Sequence, residues 1–419
     1  MKRCGAGGRA RLRCGWLRFS VGGRVLVMCF LLVSPQLLNA EVFRFKYTQG
    51  ERYHIITEVV ENVYINGKFN NKAEILNKIS VEVKDVRQSS GLLHGVFQVS
   101  ERAWGSTGPY RLGDEVFRSE FWRDERGRYE IEPQYLMPIV RDIPLFPVED
   151  VKPRESWTAE AEEVHDLRQY GMEQPLSIPL DVFYTYLGTE RREGRDMAVF
   201  EIHYSASRNL RTIPSPGISI PLKISGNSQQ TYYWDIEEGK PYMYQDRFDY
   251  IYLLSDGRYI EFEGISKGQV IQVERLDREA VVEEIQRTIE EQGLEDTDVK
   301  TDEEGITITL ENINFPPDSA YLWPKERAKL DKIGEILKKY PDRDLLIVGH
   351  TALAGTAAGR KKLSEERARA VGEYLLSRGV RKQNQIVYKG MGATQPIADN
   401  STEAGMRKNR RVEIKLLEN

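Results

Sequence analysis

Alternation of apolar and polar residues with a period of two runs through residues 41–270 and limits this part of the chain to β-strands. It is clearest from Ile79 to Val83 and from Ala198 to Tyr204. Successive side chains of a strand point to opposite faces, so such segments are half-buried strands of a sheet. The pattern predicts antiparallel β structure, arranged as a sandwich or a partly open barrel.

Turn signals divide this region. Asn66-Gly67 and Asp256-Gly257 are dipeptides typical of two-residue hairpin turns. Prolines, which cannot donate to a strand ladder, cross the middle of the region. They are Pro138, Pro144, Pro147 and Pro153. About 230 residues is large for one β unit, so we place a boundary near residue 150. The interpretation is two β-rich domains, residues 41–150 and 151–270.

Residues 1–40 differ in composition from the rest of the chain. They hold seven basic residues, no acidic residue, all three cysteines and a nine-residue apolar run that starts at Val25. A basic head, a short apolar middle and a small residue at Ala40 are typical of a secretory signal peptide. An uncleaved membrane anchor is the alternative. Acylation at Cys29 is disfavoured, because Met28 is large for the preceding position. We predict export to the periplasm.

Charge and cysteine usage exclude several classes of function. The chain has a net charge of -4, and cleavage after Ala40 would leave 53 Lys and Arg against 64 Asp and Glu, a net charge of -11. No basic surplus supports nucleic-acid binding. The absence of cysteine after Cys29 excludes a cysteine nucleophile and a cysteine zinc site there. No later apolar stretch is long enough to span a membrane as a helix, so we predict no transmembrane segment in the mature chain.

Catalytic signatures are absent from the sequence. It contains no HExxH, GxGxxG, GxxxxGK[ST] or GxSxG motif, and its histidines are scattered. Ten tyrosines lie between residues 184 and 259, and we interpret them as half-buried strand residues rather than as a platform for a sugar or peptide. We predict that the chain is not an enzyme and has no metal site and no cofactor.

A change of period follows the β region. Residues 271–298 carry apolar residues at helical spacing, including Val281, Ile285 and Ile289, with Gly293 as a stop signal. This predicts a linker helix. Residues 299–419 then alternate strands with helices, which predicts an α/β domain. The strand Leu345-Leu346-Ile347-Val348 is apolar throughout and suits burial on both faces. The overall prediction is a multidomain α+β chain.

A series of motifs in this last domain matches a known family in order and spacing. The motifs are Asn314–Ala320, Gly349–Thr351 with Gly355, Leu363–Ala368, Gly390–Gly392, Gln395–Ala398, Asn400–Thr402 and Asn409–Ile414. The segment from about residue 305 to residue 419 resembles the OmpA C-terminal-like domain, which is also found in flagellar stator proteins and peptidoglycan-associated lipoproteins. The whole layout resembles modular envelope proteins of treponemal spirochaetes.

This resemblance implies non-covalent binding of peptidoglycan through the diamino acid of its stem peptide. In the family, an aspartate after Gly-His-Thr holds the diaminopimelate ammonium, and the arginine of Leu-Ser-x-x-Arg-Ala holds a carboxylate. A zwitterion requires one anion and one planar cationic fork. Here the arginine is Arg367, but Ala352 stands at the aspartate position. The family positions retained are Asn314, Gly349, His350, Thr351, Arg367, Asn409 and Arg410.

Other family positions are altered as well. Arg360 replaces the usual asparagine, Ala404 the usual glutamate and Met406 the usual arginine. Losing one partner of a desolvated charge pair costs about 2–5 kcal/mol, roughly thirty- to several-thousand-fold in affinity. We therefore predict that conventional diaminopimelate binding is weakened or lost, and that the pocket is more cationic and prefers carboxylates.

Three hypotheses follow for function. The first is a non-enzymatic envelope protein that binds peptidoglycan or another cell-wall component in an altered way, for instance where the stem carries a different diamino acid. The second is an OmpA-fold scaffold that contacts other envelope proteins without binding peptidoglycan. The third, an uncharacterised enzyme in the β region, ranks last because no catalytic constellation is present.

Overall fold

The computed structural model describes residues 40–210, 219–273, 276–302, 305–311, 313, 315–316 and 318–417. The predicted signal peptide, apart from Ala40, lies outside the described residues. Among the helices of the described part, none combines the length and apolar character needed to cross a membrane.

The described part of residues 52–272, termed the β region here, consists of strands joined by turns. They are β1 (Arg52–Ile65), β2 (Lys68–Arg87), β3 (Ser90–Ala103), β4 (Tyr110–Arg123), β5 (Tyr129–Glu130), β6 (Val140–Arg141), β7 (Ser156–His165), β8 (Leu176–Arg192), β9 (Arg195–Asn209), β10 (Pro221–Asp235), β11 (Lys240–Leu254) and β12 (Tyr259–Gln272). A single 3₁₀ turn, Arg168–Tyr170, lies between β7 and β8.

Strand pairing in this region is antiparallel, as the sequence predicts. From β1, pairing continues through β2, β3 and β4 on one side and through β12, β11, β10, β9, β8 and β7 on the other. The β1–β12 ladder runs from Tyr53 opposite Gln272 to Ile65 opposite Ile260. Segments of both predicted β-rich units therefore share one sheet, and the boundary near residue 150 stays a prediction.

Local signals in the sequence account for the turns and the core. The β1–β2 hairpin turns at Asn66 and Gly67, both with positive φ, which asparagine and glycine tolerate best. The alternating segment of β9 buries Ala198, Phe200 and Ile202 completely. The four prolines lie between β5 and β7, where β6 is the one short strand described. The proline-rich segment is thus a connection, as predicted.

The C-terminal domain, residues 276–417, packs helices against a five-stranded sheet. Its elements are α1 (Arg278–Glu291), β13 (Thr297–Thr301), β14 (Gly305–Glu311), α2 (Pro324–Leu337), β15 (Leu345–Gly349), α3 (Ala357–Ser377), β16 (Ile386–Gly390), α4 (Glu403–Asn409) and β17 (Arg411–Leu417), with a 3₁₀ turn at Gln383–Gln385. The strand order is β13-β14-β17-β15-β16, in which β15 and β16 run parallel and the other pairs antiparallel.

Helix α1 is shorter than predicted and belongs to the core of this domain. It begins after Asp277, whose carboxylate accepts a hydrogen bond from the Ala280 amide, and β12 occupies the residues up to Gln272. Its buried residues Val281, Ile285 and Ile289 join one apolar cluster with residues of the sheet, α2 and α3. The helix is therefore integrated into the domain rather than being a free connection.

Strand β15 is buried on both faces, as predicted. Leu345 and Ile347 pack into the cluster under the helices, whereas Leu346 and Val348 belong to a second cluster. This second cluster also contains Val387 and Leu417 of the C-terminal sheet and Leu76, Tyr110 and Leu112 of the β region. The β region covers the face of the sheet that the helices leave open, and β16 pairs with the start of β4.

Candidate functional site

The Gly-His-Thr motif forms the turn at the carboxyl end of β15. Gly349 packs directly against α3, because a Cβ placed there would lie 2.0 Å from the Ser364 carbonyl oxygen. The His350 amide donates to the Arg411 carbonyl at 3.0 Å, and the Thr351 amide donates to the Gly392 carbonyl at 2.8 Å. These bonds tie the turn to β17 and to the end of β16. The motif thus positions the following loop, which begins with the buried Ala352.

A buried charge cluster supports this turn from below. Glu413 accepts hydrogen bonds from Arg411 at 2.8 Å, and one of its oxygens lies 3.6 Å from His350 Nε2. Burial alone would raise the pKa of Glu413, but His350 and Arg411 outweigh it and lower that pKa to about 2. Burial lowers the pKa of His350. Glu413 is therefore ionised at neutral pH, and its contacts with Arg411 and His350 stabilise the turn.

Replacing Glu413 with glutamine should make the protein less stable at neutral pH and change how stability depends on acid. The folded carboxylate has a depressed pKa, so its contribution is present above the unfolded value of about 4.3 and is lost as pH falls through about 2. We expect Glu413→Gln to lower the free energy of unfolding by about 3 kcal/mol at pH 7. In urea titrations at pH 7, 4 and 3, the difference in free energy of unfolding between Glu413→Gln and the unsubstituted chain should become smaller as the pH is lowered.

The control for this prediction is Glu403→Gln. Glu403 also pairs with an arginine, Arg410, but its side chain is 68% exposed, so its loss should change stability little. A difference between Glu413→Gln and the unsubstituted chain that is the same at every pH would contradict the prediction.

Arg367 projects from the middle of α3 and is buried, with 7% of its surface exposed. Its Nε donates to the Ser319 carbonyl at 3.1 Å, and its guanidinium lies 4.9 Å from the centre of the Phe315 ring. Among the described residues, Arg367 forms no ion pair within 4.0 Å, and only Nε donates a hydrogen bond. Burial and the nearby Arg410 lower its pKa, which Asp318 partly opposes.

Asn409 is a positioning residue. It is fully buried, and its side-chain oxygen accepts hydrogen bonds from the Ile397 and Ala398 amides at 2.8 and 3.0 Å. Its Nδ2 donates to the Asn400 side chain, which in turn accepts from the Leu353 amide at 3.0 Å. The loop around residues 397–400 is thereby joined to the loop that follows Ala352.

The structure connects most of the sequence-predicted positions. Gly349, His350 and Thr351 lie in one turn, and Asn409 links the neighbouring loops. The positive charge of Arg410 lowers the pKa of Arg367, and Arg410 also forms an ion pair with Glu403. Asn314 lies outside the described residues.

The altered positions lie around the same loops. Ala352 starts the loop after the turn, and Arg360, in the first turn of α3, donates to the Gly355 carbonyl. Ala404 and Met406 lie on the short helix α4, Ala404 exposed and Met406 half-buried.

Three further residues contribute to the site although sequence reasoning assigns them no separate role. They are Phe315 and Ser319, which contact Arg367, and Asn400, which joins the two loops. All three belong to the matched motifs, and this is the signal that could have identified them. A cavity of about 450 Å³ lies elsewhere, lined by residues such as Gln292, Asp331 and Arg378, and includes none of the family positions.

Comparison with known proteins identifies the C-terminal domain. The model of the OmpA family matches residues 314–410, so this part of the chain is an OmpA-like domain and the resemblance of its motifs is confirmed. Outer membrane protein A of Bordetella avium is 39% identical over 103 residues, which are 25% of this chain and 53% of that protein. The peptidoglycan-binding protein ArfA of Mycobacterium tuberculosis is 40% identical over 102 residues, 24% of this chain and 31% of that protein.

A solved structure is also similar in sequence to part of this chain. An outer membrane protein from Borrelia burgdorferi is 37% identical, with a TM-score of 0.25, and the match covers 29% of this chain and 96% of that one. The chain spans about a third to a half of the length of the two curated relatives above. The resemblance of the whole layout to treponemal proteins stays a prediction.

Proposed function

We propose that this chain is a non-enzymatic periplasmic envelope protein whose OmpA-like domain binds peptidoglycan through carboxylates of the stem peptide. The observation that carries the proposal is Arg367, a buried guanidinium without an acidic partner within 4.0 Å among the described residues. Burying an unpaired charge is costly, so such a group is best explained by a ligand that supplies the anion. A relative that matches 24% of this chain is named as peptidoglycan-binding.

The geometry favours carboxylate recognition. Nε of Arg367 donates to the Ser319 carbonyl, and the guanidinium lies 4.9 Å from the centre of the Phe315 ring. The two terminal nitrogens then form a fixed fork that suits a bidentate carboxylate. Arg410 adds positive charge nearby, whereas Ala352 contributes none of the negative charge that an ammonium group requires. Conventional diaminopimelate binding is accordingly weakened in this proposal.

The test is sedimentation of the full-length protein with intact peptidoglycan sacculi. We expect Arg367→Ala to reduce the apparent affinity at least thirtyfold, because removing one partner of a desolvated charge pair costs about 2–5 kcal/mol. Arg369→Ala is the matched control, since Arg369 lies on the same helix with 52% of its side chain exposed and pairs with Glu373. Its binding should equal that of the unsubstituted chain.

A second candidate is the scaffold function, in which the domain contacts other envelope proteins and its pocket stays empty. Ala352 favours it, because the family's anionic partner is missing. Under this alternative, the unsubstituted protein would not pellet with sacculi, or Arg367→Ala would pellet equally well. Either result would overturn the peptidoglycan proposal.

A further inference from the structure

Exposed apolar side chains of the OmpA-like domain lie on the loops of the candidate site and just before α2. Among residues 305–417 that the structure describes, the large hydrophobic side chains with high exposure number four. They are Tyr321 (50%), Trp323 (48%), Leu353 (59%) and Ile397 (46%). The rest of the domain surface is without such residues in its described part, so this rim is a local feature.

Hydrogen bonds connect three of these residues, Tyr321, Leu353 and Ile397, to residues of the site. Ser319, whose carbonyl binds Arg367, also accepts the Tyr321 amide on its hydroxyl at 3.0 Å. Leu353 directly follows Ala352, and the Ile397 amide binds Asn409. Tyr321, Leu353 and Ile397 therefore lie on the loops that form the site, and Trp323 contacts Tyr321.

Tyr321 and Trp323 form an ordered aromatic pair on this rim. Their ring centroids lie 5.4 Å apart and their planes are perpendicular. The Arg327 guanidinium lies 5.6 Å from the centre of the Tyr321 ring, and Trp323 precedes Pro324, the first residue of α2. A ring pair held by its neighbours loses little conformational entropy when a ligand binds.

We propose that Tyr321 and Trp323 form a subsite for a sugar ring of the glycan strand. This inference rests on the proposed peptidoglycan binding and extends it from the stem peptide to the sugar that carries it. One face of a pyranose ring presents mainly C–H bonds, which suit an aromatic face, while its hydroxyl groups suit the polar edges of tyrosine and tryptophan. One pair of rings matches a single sugar ring, whereas a stable protein interface involves about 20–30 residues a side, so we assign the pair to a sugar.

The experiment compares two soluble ligands by calorimetry with the full-length protein. One ligand is a disaccharide carrying the stem peptide, and the other is the same stem peptide without sugar. We expect Tyr321→Ala and Trp323→Ala each to weaken binding of the first ligand about two- to tenfold and to leave binding of the second unchanged. Trp323→Phe should retain most of the affinity, because it keeps an aromatic face.

Trp104→Ala is the matched control. Trp104 is 52% exposed but lies in the β region, 3.7 Å beneath the Lys72 ammonium, so its loss should affect neither ligand. Unchanged binding of the disaccharide ligand by both aromatic variants, or an equal loss for both ligands, would overturn the sugar subsite while leaving the proposed function intact. An altered oligomeric state without altered sugar binding would likewise assign the rim to protein contacts. Failure of the unsubstituted chain to bind either ligand would overturn both proposals.

Discussion

Replacing Lys78 with methionine is expected to lower the free energy of unfolding by about 3–5 kcal/mol. Lys78, on β2, forms an ion pair with Asp344, which lies just before β15, and both side chains are less than 10% exposed. The pair lies where the β region packs on the C-terminal sheet. Removing the ammonium leaves a buried carboxylate without its partner, which is far costlier than losing an exposed pair.

Urea unfolding of single and double variants tests this prediction. Lys78→Met and Asp344→Leu should each destabilise the protein, whereas the double variant should recover most or all of the loss, because two apolar side chains can replace a buried pair. Lys361→Ala is the control, since Lys361 and Asp114 form an exposed pair between the same two parts of the chain and should contribute less than about 1 kcal/mol. An unaltered stability of Lys78→Met would show that this contact does not form in solution.

The packing of the β region on the C-terminal domain also matters for the proposed function. Leu346 and Val348 of the C-terminal sheet are buried by residues of the β region rather than by solvent-facing loops. Helix α3, which carries Arg367, also contacts the β region through Lys361. If the C-terminal domain binds peptidoglycan, the β region packed on it is therefore fixed at the cell wall as well. The domain would not act as a separate module at the end of a flexible linker.

Local patterns were sufficient to predict much of this fold. The Asn66-Gly67 turn and the alternating strand from Ala198 to Tyr204 depend on neighbouring residues, and each lies where its pattern places it. The pairing of β1 with β12 joins segments about two hundred residues apart, and no local pattern encodes such a pairing. The two-sided burial of β15 was predicted, but the β region as its second cover was not.

The candidate site likewise has some features that the sequence predicts and others that it does not. The motif match located Arg367 and the Gly-His-Thr turn, because their spacing along the chain is characteristic. Sequence could not show that Arg367 is buried on the Phe315 ring or bound to the Ser319 carbonyl, since both contacts depend on a loop packing on α3. It also could not show that Tyr321 and Trp323 are exposed. An aromatic residue beside a helix start is compatible with either burial or exposure.

Restoring the family aspartate, by Ala352→Asp, should strengthen binding of a ligand with a free ammonium group. The proposed site offers cations at Arg367 and Arg410 and has Ala352 where the family resemblance implies an aspartate for the ammonium. If the rest of the pocket has kept its geometry, the gain should approach the loss from removing one partner of a desolvated pair, about thirtyfold or more. Calorimetry with a diaminopimelate stem peptide, comparing full-length Ala352→Asp and unsubstituted protein, measures this gain.

Ala354→Asp separates a specific contact from a general change of charge. Ala354 lies in the same loop, is exposed, and its amide bonds to the Ala352 carbonyl at 2.9 Å, so it adds the same charge two residues away. A gain confined to Ala352→Asp would show that the pocket has kept its shape and has lost only its anion. An equal gain from both variants would reduce the effect to long-range attraction. No gain from Ala352→Asp would mean that Arg360, Ala404 and Met406 have changed the site beyond one residue, and the scaffold function would then gain support.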